Sequence, residues 1–175
     1  MRSNKSILKD FEGVYEEWLV ALDLYSEEQI KGYGADENWS IGQVYMHLIQ
    51  ATLEFQGKQL EVCLEQEDNQ SKMKNFRGFM VYKILGKFPP VKIKVAPSSD
   101  YTPPAPKSKI DVRERMEKAL EMMKLWEKKL DTSKGGKTLH PGFSYLNAQE
   151  WYLLILMHWK HHLKQKKALD KVLLY

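Results

Sequence analysis

Apolar residues recur along this chain with helical spacing in four long stretches. In the first, about 5–25, they fall at Ile7, Phe11, Val14, Trp18, Leu22 and Tyr25, in steps of four, three, four, four and three. Such steps keep one stripe of a helix buried. The second stretch opens at Ser40, with Gln43 three residues later in capping-box spacing. Its stripe is Ile41, Val44, Tyr45, Leu48, Thr52, Phe55 and Val62, and it fades at EQEDNQ, 65–70. That predicts a helix of roughly 25 residues, about 38 Å long. The third, 111–130, places Val112, Met116, Ala119, Met123 and Trp126 on one face. The fourth, 148–173, follows a second capping pair, Asn147 and Glu150. No stretch alternates convincingly, so no strand is expected.

The connections decide how these helices are arranged. SEEQIKGYGADEN, 26–38, reads as a helical turn and a loop, and DTSKGGKTLHPGFSYL, 131–146, reads as a loop. Short links favour antiparallel neighbours, whereas a long crossover permits parallel ones. The long connection is 67–109. Within it NFRGFMVYKILGKF is apolar enough to pack as a short helix. PPVKIKVAPSSDYTPPAPKSK holds six of the seven prolines and reads as an irregular crossover. The expected fold is therefore all-α: one four-helix bundle spanning 1–175, running up, down, down, up, with the crossover between the second and third helices.

Composition narrows the function without naming it. Hydrophobic residues make up 43% of the 175, enough for a core in a single domain. The longest wholly apolar part of the last helix, YLLILM, is far too short to span a bilayer. The start, MRSNKSILKD, has no apolar core of a signal peptide. One cysteine, Cys63, excludes an intramolecular disulfide and fits a reducing cytoplasm. The formal net charge is +4, but the 27 basic and 23 acidic residues are interleaved. No basic patch for nucleic acid emerges. The expectation is a cytoplasmic protein acting on a small molecule, without nucleic acid or membrane. A homodimer through a bundle face is compatible with the pattern, though nothing in it demands one.

Candidate chemistry lies in HWKHH, 158–162, which breaks the apolar stripe of the last helix. His158 and His162, four residues apart, share a face and are close enough to grip one ion. His161 is a competing partner for His158, or a hydrogen-bond donor to a ligand. Such a pair alone is often only a set of satisfied histidines, and a divalent site needs a third protein ligand. His47 is the natural candidate. It lies about 10 Å from the start of its helix, and His162 lies on the order of 15 Å from the end of the last one. Antiparallel packing would bring the three rings level to within a turn or two. Cys63 is about 24 Å further along the second helix, too far to share an ion with His47, and reads as a small buried hydrophobe. His140, in LHPGF, could cap the last helix or line a cleft. Gln50 and Glu54 follow His47 on one side of its helix. They could orient ligands, line a pocket, or form a solvated edge. Gln165 could hold a substrate or a water.

NWSIGQVYMHL resembles the second-helix signature of the DinB-like (YfiT-like) metal-binding four-helix bundles. HWKHHLKQ is similar to that family's last-helix pattern, His-x-x-His-His-x-x-Gln. HPGFSYLNAQEW resembles a bacterial branch with no assigned activity. The resemblance covers about 37–66 and 139–169. It implies a bundle running up, down, down, up, with metal ligands at His47, His158 and His162. It also implies a metal-dependent transferase or isomerase using a low-molecular-weight thiol, such as bacillithiol or mycothiol, although many members have no assigned reaction.

Three neutral imidazoles leave positions open on a divalent ion, the mark of catalytic metal sites. Water or thiol bound there would be deprotonated more readily. Zinc is the default for imidazole ligands, with nickel, iron and copper also accepted. The alternatives are a metal-dependent hydrolase and a non-catalytic stress-related bundle or interaction module with a structural metal. No catalytic residue beyond the ligands is assigned.

Overall fold

The protein was described from a computed structural model covering residues 2–34, 38–85 and 102–174. Most of the proline-rich crossover expected over 89–109 lies outside the described residues. Four helical columns form the bundle. The first is α1 (Asn4–Leu24), followed by the short α2 (Glu27–Lys31). The second column comprises α3 (Ile41–Gln50), a π-helical turn (Ala51–Gln56) and α4 (Gly57–Glu65). Beyond it lie α5 (Phe76–Phe79) and a second π-helical segment (Met80–Leu85). The third and fourth columns are α6 (Lys109–Lys129) and α7 (Ala148–Leu173).

The helix starts follow from local chemistry. Ser26, Ser40 and Asn147 each accept from the backbone N–H three residues on, and Gln29, Gln43 and Glu150 return the bond. These reciprocal pairs satisfy amides that a helix start leaves without intrahelical partners. Gln43, nearly fully buried, also donates to the Pro103 carbonyl at 2.9 Å and accepts from Gly34 N at 3.0 Å. A capping side chain thereby ties the far end of the crossover to the second column.

Contacts at matching heights give the chain direction. Asp23 meets Arg113 and Asn4 meets Asp131, so α1 and α6 are antiparallel. Gln149 meets Asn4 and Asp170 meets Tyr25, so α1 and α7 are parallel. His47 meets His158, while Cys63 meets Leu146 just before α7. The second column therefore runs against α7. The order is up, down, down, up, as the connection lengths predict. Trp18, Trp126, Trp151 and Trp159 are all essentially buried and are the largest side chains in the core. Trp159 stands edge-on to Phe11 at 5.0 Å and donates its indole N–H to Thr52 Oγ1 at 2.9 Å.

Two expectations change. The segment read as a loop contains a hairpin, β1 (Lys137–His140) with β2 (Ser144–Asn147), antiparallel, pairing Thr138 with Leu146 and His140 with Ser144. Four-residue strands are too short for alternation to stand out in a sequence. Here they are held by tertiary partners: Leu146 is buried, and Thr138 accepts from the Trp151 indole at 2.8 Å. Among the described residues the bundle is all-α apart from this small ribbon and a single bridge from Lys74 to Ser144. The second change is in the second column. Phe55, placed on the buried stripe by a regular helix, is 43% exposed, whereas Gln56 is 6% exposed. The π turn is the cause. Its wider winding, with Gly57 N–H bonded to the Thr52 carbonyl five residues back, carries the stripe from Thr52 to Gln56 and Gly57.

Close backbone approach explains one glycine. A Cβ on Gly42 would lie 1.9 Å from the Ile30 carbonyl oxygen and 3.0 Å from Pro106 Cδ. Gly42→Ala must push α2 off α3. The expected loss is about 2 kcal/mol or more, read as a lower urea midpoint with the far-UV spectrum retained.

Candidate metal centre

His47 projects from α3, about two turns into the second column, and His158 and His162 project from the middle of α7. Their Nε2 atoms converge. His158 Nε2 is 3.0 Å from His47 Nε2 and 3.1 Å from His162 Nε2. One ligand atom from each ring lies within 4.8 Å of the others. The ring centroids are 4.8 to 4.9 Å apart and the planes strongly inclined, so the rings meet edge to face and not in a stack. Tetrahedral zinc, with bonds of about 2.0–2.1 Å, sets its nitrogens about 3.3 Å apart. The two sides that meet at His158 Nε2, 3.0 and 3.1 Å, are close to that spacing. The donor set thus fits a divalent ion, and the three histidines are positioned to bind one.

Electrostatics keeps the donors available. Burial, and then the neighbouring His162, pushes His47 down to about 3. Burial pushes His162 down to about 4, partly opposed by its bond to Gln165. Burial and the surrounding histidines drive His158 well below the usual range. All three rings are therefore neutral at pH 7, as metal ligation needs.

The remaining nitrogens have partners of their own. His162 Nδ1 is 2.8 Å from Gln165 Oε1. That oxygen only accepts, so Nδ1 carries the proton and Nε2 keeps its lone pair. Gln165, read from the sequence as a contact for substrate or water, is placed here to fix a ring tautomer. His161 is partly buried and packs edge-on against the His162 ring at 5.3 Å, outside the converging set. Trp39 lies 4.7 Å from the His47 ring, tilted by 47°, and walls it on one side. Gln50 is partly buried at the end of α3. Glu54 is exposed, and its charge bears on Arg115 of α6. His140 closes the hairpin turn, accepting from Gly142 N at 2.9 Å and stacking on Phe143 at 4.6 Å. Cys63 is buried, with its Sγ 3.5 Å from both Thr138 Oγ1 and the Leu146 carbonyl.

Sequence reasoning missed Gln56. Its side-chain nitrogen is 3.3 Å from His158 Nδ1. Nothing in a regular helical wheel sets it apart from Phe55, because the π turn that brings it inward is itself not visible in the spacing.

Fold and site together define a four-helix bundle with a three-histidine candidate metal centre between the second and fourth columns. The DinB superfamily model matches residues 10–165. The chain belongs to the DinB superfamily. No curated protein and no solved structure matches it. Among the described residues, no helix is long and apolar enough to cross a membrane.

Proposed function

We propose that this chain is a metal-dependent enzyme acting on a small-molecule substrate, with a low-molecular-weight thiol as co-substrate, in a transferase or isomerase reaction. The observation that carries the reading is the convergence of three neutral Nε2 donors, with no fourth protein ligand in the group formed by the described residues. Three ligands and an open position separate catalytic from structural sites. A divalent ion there, zinc by preference for imidazole, would make a bound thiol or water more acidic. The chain's own part is to hold and orient. His47, His158 and His162 grip from two helices, Gln165 fixes the His162 ring, and Trp39 shields His47 on one side.

The test is turnover of the zinc-loaded protein against a panel of electrophiles, with and without added thiol. Thiol-dependent product that disappears in His162→Ala is the expected outcome. Turnover without thiol points to a hydrolase instead. A metal-loaded protein inert towards the whole panel favours the non-catalytic reading.

A further inference from the structure

Gln56 ends the π-helical turn with its amide against His158. The side chain is buried, with Nε2 3.3 Å from His158 Nδ1, and Oε1 is buried without a hydrogen-bond partner. An amide nitrogen only donates. In this orientation the ring accepts at Nδ1, and its proton sits on Nε2. That N–H faces His47 Nε2 at 3.0 Å and His162 Nε2 at 3.1 Å, and His162 is free to accept because Gln165 holds its proton on Nδ1. In the metal-free triad one N–H on His158 thus faces two acceptors, His47 accepting in its Nδ1–H tautomer.

Ligation through His158 Nε2 requires the reverse arrangement, with the lone pair on Nε2 and the proton on Nδ1. Nδ1–H then needs an acceptor. The unpartnered Oε1 of the same amide supplies it after a half-turn about the last side-chain bond, with the backbone unmoved. We propose that Gln56 is the positioning residue for His158, holding the metal-free tautomer in one amide orientation and the metal-ligating tautomer in the other. The inference rests on the triad being a metal centre. It also gives the π turn a purpose, since that turn is what carries Gln56 rather than Phe55 inward.

The experiment compares Gln56→Met and Gln56→Glu with the unmodified chain. Each is stripped of metal and titrated with zinc against a chromophoric chelator. Met removes the hydrogen bond in both states. The metal-free one is long, at 3.3 Å, whereas an Nδ1–H on a metal-polarised ring bonds more strongly. The larger loss therefore falls on the metal-bound state, and zinc affinity is expected to fall about 10–100-fold. Glu retains an acceptor for Nδ1–H and is expected to bind within about threefold of the unmodified chain, or tighter. In long-range 1H–15N spectra of the unmodified chain, the His158 proton is expected on Nε2 without zinc and on Nδ1 with it. A Met variant binding as tightly as the unmodified chain overturns the proposal, as does a Glu variant as weak as Met. If the Met variant fails to fold, the spectra decide: a His158 proton on the same nitrogen in both states overturns it. An unmodified chain that takes up no zinc overturns the metal centre and this role together. Zinc uptake with an unaffected Met variant overturns the role alone.

Discussion

His158→Ala is expected to abolish metal retention at the three-histidine centre. The unmodified chain, loaded and desalted, is expected to retain about one divalent ion, and the variant below about 0.1, by elemental analysis. The size of the effect follows from position. His158 Nε2 is the atom that both other donors approach, at 3.0 and 3.1 Å. Without it, His47 and His162 remain as two ligands on different columns, and two imidazoles do not hold a divalent ion against dilution. His162→Ala is expected to behave the same way. His161→Ala supplies the contrast: its ring packs on His162 but lies outside the converging set, so most of the metal stays. Stoichiometric metal in the His158→Ala, His162→Ala double variant would sink the site. Complete loss in His161→Ala would mean that the wrong pair on α7 has been chosen. Far-UV circular dichroism of each variant separates lost ligation from lost fold.

The second large effect is in acid. In the unfolded chain these histidines take up protons near pH 6.5. In the fold, burial lowers His47 to about 3 and His162 to about 4, and His158 moves in the same direction. Between about pH 6.5 and 4 the unfolded state therefore binds more protons than the folded one. Folding stability from this source is complete above about pH 6.5 and drains away as pH falls towards the folded-state values. Each histidine contributes up to about 1.4 kcal/mol per pH unit within the window. Urea midpoints of metal-free protein should fall steeply between about pH 7 and 5. A divalent ion ligated by the deprotonated folded triad should raise the midpoint at neutral pH and lose that effect in the same acid window. A metal-free midpoint that stays flat across the window would contradict the lowered proton affinity of these partly buried rings.

These two results test different links of one chain of causes. Metal retention tests whether the three nitrogens converge. Acid sensitivity tests whether the core around them excludes water. Both depend on α7, whose first half is almost wholly buried from Trp151 to Met157 and whose stripe then turns polar at His158. An apolar collar below and imidazoles above place a dry wall beside a group of lone pairs. That setting lowers the affinity of the rings for protons while leaving them free for a metal.

Much of this was determined by sequence alone, because the governing interactions are local. Helical spacing sets the four columns, side chains three residues apart set the caps at Ser40 and Asn147, and the four-residue step from His158 to His162 puts both on one face in any α-helix. Link lengths set the order of directions, which brings His47 to the level of the pair. What tertiary structure alone decided is non-local or sits at a break in the regular winding. The hairpin at 137–147 exists because Thr138 and Leu146 find partners on the second and fourth columns, and four-residue strands carry too little pattern to announce themselves. The approach of three nitrogens to within 4.8 Å depends on ring orientations set by Trp39 and Gln165, and no spacing rule reaches that far. Gln56 is the clearest case. One turn past Thr52 a regular helix divides the inward direction between residues 55 and 56, and only the π turn settles it in favour of the amide that touches His158.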